Sequence, residues 1–551
     1  MWKGRRNRDL DSYILGDRSM RWYTVAFSIM ATQASAITFI STPGQAYVDG
    51  MRFVQFYFGL PLAMVVLSIT AVPLYRRLKV YTAYEYLEHR FDVKVRSLAA
   101  ILFLVQRGLA CGLTIYAPAV VLSVLLGWNL HVTNWVTGIL VIIYTAAGGT
   151  KAVNHTNFWQ MVIILGGLLT TLAIAVALLP ANVSFTEAVH VAGRMGRLNA
   201  IDFSFDWNNR YNFWSGIIGG FFLALSYFGT DQSQVGRYLS GQSVTQSRLG
   251  LLFNGMVKVP MQFVILFVGA MVFVVHQFHQ TPIHFNPVET RRVEASPLAG
   301  EFRVLQAEYD ALTEAKRAEI EALLEARRAD DQVAEASAAT SIDSIQAQAL
   351  DVRMQAREIV REVNPGSDGN DVNYIFLSFV LASLPVGVIG LVLAMIFAAS
   401  MSSTASELNA LASTTIVDIY RRFWKRARSD RHLVVVSKIA TVVWGALAIL
   451  FAEYANRLGS LVEAVNILGS LFYGTILGIF LLAFYVKRIG GTAVFLGALA
   501  GETAVIFCFA TTDISFLWYN VVGCLGTIVC ALVISLPGGR RGRPEARSVT
   551  S

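Results

Sequence analysis

The sequence has little charge for its length. Only 15% of its 551 residues are Asp, Glu, Lys or Arg, whereas about 25% is usual in a soluble globular domain. Hydrophobic residues make up 55% of the chain, and the mean hydropathy is +0.52. So few charges among so many apolar residues exclude an ordinary soluble domain. We therefore expect a helical protein that crosses a membrane several times.

Cysteine is scarce as well. The four cysteines, Cys111, Cys508, Cys524 and Cys530, all lie in apolar runs. Their spacing matches neither a zinc site nor a disulfide framework, so we interpret them as small core residues. The sequence also lacks a Cys/His cluster with metal spacing, a nucleophile motif and a phosphate-binding loop. These absences argue against a membrane enzyme.

The net charge of +8 could suggest a nucleic-acid partner. The basic residues, however, lie in short runs between apolar spans, such as "RRFWKRARSDR" and the tail "GGRRGRPEAR". Cytoplasmic loops of membrane proteins are enriched in Lys and Arg, which explains these runs without nucleic acid. With an even number of spans, all basic runs fall on one side. We therefore predict a multi-pass protein of a cell membrane (plasma or bacterial inner), with both termini cytoplasmic.

Hydropathy predicts about twelve transmembrane helices. They cover residues 22–47, 54–75, 98–126, 132–147, 158–179, 214–229, 251–276, 375–399 with a polar extension, 433–451, 461–485, 492–510 and 516–536. The predicted organisation is a cytoplasmic segment (1–21), helices one to seven (22–276), a polar insert (277–372), helices eight to twelve (373–536) and a basic cytoplasmic tail (537–551).

The insert is rich in Ala, Glu, Leu and Arg. Leu305, Tyr309, Leu312, Ile320 and Leu323 form a loose apolar stripe with helical spacing. This pattern predicts one or two amphipathic helices in a small extracytoplasmic subdomain. Two roles are open: a hairpin docked on the outer face of the protein, or a module that binds an extracytoplasmic partner.

Polar residues cluster inside two spans that correspond in a five-plus-five inverted repeat. In the first span they lie among small residues, which permit close helix contact or unwinding of the backbone; they are Thr32, Gln33, Ser35 and Thr38. In the sixth span a glycine pair precedes Ser226, Tyr227 and Gly229. Interrupted helices at corresponding positions indicate the binding site of a transporter.

The eighth span ends in "AASMSSTASELNAL". Ala399, Ser402 and Ser403 have i, i+3, i+4 spacing and share one helical face. Two hydroxyl oxygens and a carbonyl are hard, neutral ligands that suit an alkali cation bound weakly and reversibly. The spacing alone leaves a sodium site and helix packing as alternatives. The neighbouring Ser400, Thr404 and Ser406 lie on other faces, and we interpret them as packing residues bonded back to their own helix.

Four segments, in order, resemble signatures of the sodium:solute symporters. They are "LDSYILGDRSMRWYTVAFS", "TAYEYLEHRF", "GTDQSQVGRYLSGQS" and "SMSSTASELNALASTTIVDIY". The resemblance extends along nearly the whole chain outside the insert. It implies an all-α polytopic membrane protein with a LeuT-like five-plus-five inverted repeat that works by alternating access.

The resemblance also implies a sodium site between the first and eighth helices. By position, Ala31 and Ala34 would supply backbone carbonyls from the first helix. Ala399 would supply a carbonyl, and Ser402 and Ser403 hydroxyls, from the eighth.

A departure from the family pattern concerns the number of sodium ions. On the fifth helix, many relatives have an aspartate tied to ion release or to a second sodium. This chain has Asn157 there, and a neutral amide supplies no charge. We therefore expect one sodium per cycle.

Solute-binding positions match the family less closely. Sugar-transporting relatives have a Gln and a Glu where this chain has Thr38 and Tyr57, so the network that binds sugar hydroxyls is not reproduced. Tyr227 matches an aromatic inner gate under the solute, and Asn466 matches an amide on the tenth helix. All four are candidate solute-binding residues.

Several charged residues in spans have more than one interpretation. Arg107, after Gln106, resembles the branch that carries iodide, monocarboxylates and vitamins; it would favour an anion if it faces the cavity, or it snorkels to the cytoplasmic edge. Lys258 either matches a seventh-helix lysine or snorkels. Glu463 and Glu502 could each be an ion or proton site, a neutral buried acid, or an acid at a water-filled vestibule.

The predicted function is symport, in which sodium drives the import of a small organic solute, with a monocarboxylate or other organic anion slightly favoured over a sugar. The alternative is a membrane sensor of the same fold that signals through a separate partner. The family usually has one more helix before the first core helix, so either that helix is absent or the true start lies upstream.

Overall fold

The structure is a computed structural model that describes residues 18–78, 80–424 and 429–536. Apart from one isolated bridge between Met20 and Gly241, every regular element in these residues is helical. Nine of the described helical stretches are long and apolar enough to cross a membrane, and three shorter helices are also apolar. The prediction of an all-helical polytopic membrane protein is therefore confirmed.

Eleven helices precede the insert. They are α1 (Trp22–Gln33), α2 (Ala36–Asp49), α3 (Leu60–Ile69), α4 (Ala71–Leu78), α5 (Ala83–Arg90), α6 (Val93–Leu126), α7 (Leu130–Ala177), α8 (Phe185–Arg194), α9 (Gly220–Thr230), α10 (Gln232–Leu239) and α11 (Val244–Phe278). A 3-10 segment, Gly50–Tyr57, joins α2 to α3, and a π-helical turn, Ser215–Gly219, leads into α9. Helix α7 contains both the fourth and the fifth predicted spans.

Nine more helices follow. The insert contains α12 (Pro287–Glu294), α13 (Ala299–Arg328) and α14 (Gln332–Val363), and the chain continues with α15 (Val372–Ser383), α16 (Val386–Thr414), α17 (Asp430–Ala452), α18 (Leu461–Tyr485), α19 (Gly491–Thr511) and α20 (Phe516–Ser535). A π-helical segment, Thr415–Tyr420, and a last turn, Arg421–Phe423, extend α16.

The first predicted span is broken near its middle. Helix α1 ends at Gln33, Ala34 leaves the helix with ψ 77°, and Ser35 is extended with ψ 170° before α2 begins. The sixth predicted span (214–229) is not broken in its interior: it begins in the π-helical turn Ser215–Gly219 and continues as α9 to Thr230. The extended residue Asp231, with ψ 119°, lies just beyond the end of that span, between α9 and α10. The break in the first span follows the small and polar residues that predicted it. A break frees backbone groups inside the protein, where they can bind a ligand.

The prediction of the eighth span is wrong in its first half. Residues 375–399 are not one helix, because α15 ends at Ser383 and α16 begins at Val386. Pro385 disfavours helical dihedrals in the residue before it, and Leu384 accordingly has ψ 148°. The helical run from Val386 extends to Phe423. The serine-rich stretch therefore lies in the interior of a long helix, not at the end of a span.

The insert folds into three helices, where the sequence predicts one or two. Helices α13 and α14 form a hairpin whose buried side chains include Tyr309, Ile320 and Leu323 from the predicted stripe. Near the tip of the hairpin, Arg328 is 2.7 Å from Glu187 of α8. The hairpin is therefore docked on the rest of the chain.

A buried carboxylate joins the insert to α15. Asp371 accepts hydrogen bonds from Arg353 at 2.7 Å, from Arg357 at 2.9 Å and from the backbone N–H of Phe285 at 2.9 Å. Burial alone would raise the pKa of Asp371, but Arg353 and its other cationic neighbours outweigh burial and hold that pKa well below its usual range. The ionised form of Asp371 therefore stabilises the folded state.

We expect Asp371→Asn to lower the unfolding temperature at pH 7, because breaking a buried ion pair costs about 3–5 kcal/mol. Since the folded-state pKa is depressed, the contribution of Asp371 is complete above the unfolded pKa of about 3.9. It is lost as the pH falls below that value. Thermal unfolding of the purified protein at several pH values measures both effects, with Asp351→Asn, an exposed acid on α14, as the control. An unchanged unfolding temperature in Asp371→Asn would contradict this role.

Candidate ion and solute site

The break after α1 frees the carbonyl oxygen of Ala31. In a continuous helix this oxygen would accept from the N–H of Ser35, but that N–H bonds to the Gln33 carbonyl at 3.1 Å. The hydroxyl of Ser402, on α16, donates to the Ala31 carbonyl at 3.0 Å instead. The freed carbonyl is therefore where α1 and α16 meet.

Further oxygen atoms surround this contact. The Ser402 hydroxyl is 2.9 Å from Oδ1 of Asn157 on α7, and the Ser403 hydroxyl donates to the Ala399 carbonyl at 3.0 Å. All these residues are buried. The structure thus places four of the five predicted sodium ligands in two bonded pairs, Ala31 with Ser402 and Ala399 with Ser403. Ala34 is buried at the break itself, and its N–H bonds to Met30 in its own helix.

This oxygen cluster (Ala31, Ala399, Ser402 and Ser403, with the Asn157 amide) has no formal charge. Carbonyl and hydroxyl oxygens are suitable ligands for an alkali cation. A cation there would be met by oxygen lone pairs once the two hydroxyls rotate away from their carbonyl partners. Asn157 contributes an oxygen and no charge, which is consistent with weak, reversible binding. Ligation by these residues remains a prediction.

The other hydroxyls on this part of α16 behave in two ways. Ser406 donates to the Ser402 carbonyl at 2.8 Å, so the prediction of a hydroxyl bonded to its own helix is confirmed there. It is wrong for Ser400 and Thr404, which bond to the carbonyl and the hydroxyl of Thr114 on α6, both at 3.3 Å. These two hydroxyls cross to another helix because α16 is buried on this side as well.

A cavity of about 100 Å³ begins at the same break. The four predicted solute-binding residues, Thr38, Tyr57, Tyr227 and Asn466, all line it. Thr32 lines it too, and the Thr32 hydroxyl donates to Ser406 at 3.1 Å. The cavity and the oxygen cluster are therefore linked through one turn of α1 and one turn of α16.

The cavity also contacts a buried charge network around Arg107. The guanidinium of Arg107 bonds to Asp231, to Glu407 at 3.0 Å and to the hydroxyl of Tyr473 at 2.5 Å. It lies 5.4 Å from the centre of the Tyr227 ring. Arg107 is only 4% exposed, so the snorkelling interpretation is wrong.

The Arg107 network changes the argument for an anionic solute. Two carboxylates already face Arg107, so its charge is not free to bind an anion. Sequence reasoning missed Asp231, Glu407 and Tyr473 as site residues. The sequence did contain one indication of this network: Glu407 is a carboxylate inside the same apolar run as the serines.

Lys258 supplies a second buried cation beside the cavity. Its side chain is fully buried on α11, so snorkelling is wrong here as well. The Nζ atom is 5.3 Å from the centre of the Tyr57 ring and has no hydrogen-bond partner among the described residues. Lys258 is not itself in the cavity lining and lies behind the ring of Tyr57, which is.

The two glutamates in the last helices differ. Glu463, at the start of α18, bonds to Arg210 at 2.6 Å and to the hydroxyl of Tyr211 at 3.2 Å. It is therefore a paired acid. Glu502 is buried on α19, and the hydroxyl of Thr475 is its polar neighbour. Its three interpretations stay open.

A helix broken inside the membrane, a neutral oxygen cluster beside the break and a polar cavity at the same break define the class of the protein. They are the features of a secondary transporter whose solute and coupling ion bind near the middle of the membrane.

Comparison with known proteins agrees. The model of the sodium:solute symporter family matches residues 13–295 and 354–501. The chain belongs to this family, as the four sequence segments predict. The matched ranges leave out residues 296–353, which contain α13 and most of α14.

Relatives carry several solutes. Human sodium-coupled monocarboxylate transporter 1 is 27% identical over 89% of this chain and 66% of its own length. The human sodium/iodide cotransporter is 26% identical over 90% of this chain and 64% of its own length. The sodium/sialic acid symporter NanT of Aliivibrio fischeri is 25% identical over 95% of this chain and 87% of its own length. The chain thus spans about two thirds of the two human proteins.

A solved structure confirms the fold. A substrate-bound, outward-open sodium-coupled sialic acid symporter superposes with a TM-score of 0.72 at 22% identity, covering 97% of this chain and 94% of the other. The LeuT-like architecture is therefore confirmed. Family membership makes sodium the coupling ion and places the chain among multi-pass membrane transporters, not enzymes.

Proposed function

We propose that the protein imports a small organic anion of the monocarboxylate class by sodium-coupled alternating access. The observation that carries this proposal is the shared break in the first span. Thr32 lines the solute cavity and bonds to Ser406, whose hydroxyl donates to the carbonyl of the proposed ligand Ser402. Solute in the cavity and sodium at the oxygen cluster would each favour the same geometry of the break, and this is the physical basis of coupling.

Size and charge support a small anion. The cavity of about 100 Å³ is well below the roughly 300–1,000 Å³ of sites for drug-sized ligands. Arg107 is engaged by two carboxylates, whereas Lys258, behind Tyr57, has no ion-pair partner among the described residues. A solute carboxylate near Tyr57 would meet this cation. The names of the relatives (monocarboxylate, iodide and sialic acid transporters) point to anions as well.

The orientation is also a proposal: both termini lie in the cytoplasm, and the membrane is the plasma or bacterial inner membrane. Contacts between the basic loops support this sidedness, since Arg96 donates to Asp418 at 2.9 Å and Arg422 lies 2.7 Å from Glu88. Two basic regions distant in sequence thus share one face. The insert then lies outside. The contacts of the insert do not support an extracytoplasmic partner, because the hairpin packs against the rest of its own chain.

We propose one sodium per solute, because Asn157 replaces the charged residue at the oxygen cluster. The ratio of radioactive sodium uptake to labelled solute uptake in proteoliposomes measures this number. We expect a ratio of one; a ratio of two would contradict the proposal.

A screen of solutes tests the solute class. Monocarboxylates, sugars, amino acids and sialic acid are added to purified protein in sodium or potassium buffer, and the unfolding temperature is measured. We expect a short monocarboxylate to raise the unfolding temperature in sodium by more than any rise that it causes in potassium. Stabilisation by a sugar alone would contradict the proposal. The sensor alternative would show the same sodium-dependent binding without net uptake into proteoliposomes.

A further inference from the structure

A second cavity, of about 190 Å³, lies where the insert meets the transporter. Helices α13 and α14 form one side of it, and the outer ends of α2 and α11 form the other. It is separate from the solute cavity. Seven of its lining residues, Lys316 and Arg353 among them, belong to the segment that the family match leaves out.

Positive charge dominates this second cavity. Arg197, Lys316 and Arg353 line it, and Asp49 is the lining carboxylate. Arg353 is neutralised from behind by Asp371, at 2.7 Å. Among the described residues, the other two cations have no carboxylate within 4.0 Å, although Asp49 interacts electrostatically with Arg197.

The contacts of these two cations are with neutral groups. Lys316 is 4% exposed, and its Nζ donates to Oε1 of Gln346 at 3.0 Å. Arg197 donates to the Val48 carbonyl and lies 4.4 Å from the centre of the Phe273 ring, and its Nε has no hydrogen-bond partner among the described residues.

A buried cation without a counter-charge is costly, because burial removes its hydration and nothing replaces it. Burial, with the nearby Arg197 and Arg353, lowers the pKa of Lys316 to about 8. Lys316 is thus still mostly protonated at pH 7. An anion in the cavity would offset this cost. Tyr47 and Tyr309 also line the cavity.

We propose that this cavity binds a small monovalent anion, either chloride or a short carboxylate, between Lys316 and Arg197. The ammonium group and the free guanidinium N–H supply two charge-assisted hydrogen-bond donors from opposite sides. One side is the insert, and the other is the loop after α8.

The second cavity lies at the end of α2, so an anion bound there could affect transport. Tyr47, Val48 and Asp49 are the last residues of α2, the outer half of the broken helix. A Cβ at Gly269 would lie 2.2 Å from the Pro43 carbonyl, so α2 and α11 are in backbone contact just beside the cavity. A bound anion therefore ties the insert to the outer half of the helix that carries the solute site.

The test uses purified full-length protein in potassium salts without solute, so that the sodium-dependent site is not engaged. At constant ionic strength, the potassium salt of a bulky sulfonate buffer is replaced by potassium chloride or, separately, by potassium acetate, and the unfolding temperature is recorded. We expect a saturable rise with at least one of these anions. The two titrations distinguish chloride from a carboxylate.

Two variants locate the effect. Lys316→Gln should need at least tenfold more anion for the same rise. Gln346→Glu places a carboxylate beside Lys316 and should remove the anion response while keeping the protein folded, since it supplies the missing counter-charge. Arg317→Gln is the matched control, because Arg317 is the next residue on α13 but is 41% exposed and paired with Glu321; it should respond like the wild type.

A wild-type protein without a saturable rise in either titration would overturn the proposal. So would a wild-type response in Gln346→Glu. Neither result bears on the sodium-dependent solute site, which is tested in sodium.

Discussion

Asp231→Asn is expected to reduce sodium-driven solute uptake by about a hundredfold or more. Asp231 lies between α9 and α10 and bonds to Arg107 of α6 and to Tyr473 of α18, the latter at 2.9 Å. Arg107 also bonds to Glu407 of α16. This network therefore joins four parts of the helix bundle at the edge of the solute cavity. Loss of one partner of a buried ion pair costs about 3–5 kcal/mol, and each 1.4 kcal/mol corresponds to a factor of ten.

The substitution keeps the shape of the side chain and removes its charge. Initial uptake rates in proteoliposomes with equal amounts of reconstituted protein measure the effect. Asp513→Asn is a suitable control, because Asp513 is an exposed acid in the loop between α19 and α20. Uptake by Asp231→Asn at the wild-type rate would show that the network is not needed for transport.

Ser402→Ala is expected to raise the sodium concentration for half-maximal uptake by about tenfold to a hundredfold. The Ser402 hydroxyl is the atom that connects Ala31, Asn157 and α16. Loss of a polar contact to a charged group costs about 1.5–3 kcal/mol. At saturating sodium the uptake rate should approach that of the wild type, because the solute cavity is unchanged.

Ser413→Ala provides the matched control for this second prediction. Ser413 is a buried serine on the same helix, but its hydroxyl donates to the Ala410 carbonyl at 3.0 Å. We expect its sodium dependence to match that of the wild type. An unchanged half-maximal sodium concentration in Ser402→Ala would contradict the assignment of this hydroxyl as a sodium ligand.

Hydropathy predicted most of the fold because a membrane span must be a long apolar helix. The polar residues Gln33 and Ser35, set among small residues, indicated the break in the first span. Hydropathy failed at the eighth span, because one proline hardly changes the mean hydropathy of a long apolar window, whereas it does change the backbone geometry of Leu384. A boundary set by proline is invisible to an average of hydropathy.

The ion site and the charge network differ in how far they could be predicted. Helical spacing within one segment is enough to place Ala399, Ser402 and Ser403 on the same face of a helix. Their partner Ala31 is 371 positions away from Ser402, so only the family resemblance could propose it. The partners of Arg107 are 124 and 300 positions away. Sequence reasoning gave Arg107 a free charge or a place at the membrane edge, because nothing local indicated two carboxylates beside it.

The insert shows a similar limit. Its apolar stripe predicted helices, since burial of one helical face requires that spacing. The stripe contained no information on which transporter surface would cover it. Nothing in the stripe indicated a role for Lys316, whereas the structure buries it near Arg197, from a distant loop.

Sodium-driven uptake in proteoliposomes tests the central claim most directly. Labelled monocarboxylate is supplied outside vesicles that contain the protein, with sodium or potassium as the external cation. We predict accumulation above the external concentration with an inward sodium gradient, and only equilibration or none with potassium. Equal uptake in sodium and in potassium would contradict sodium-coupled symport by this protein.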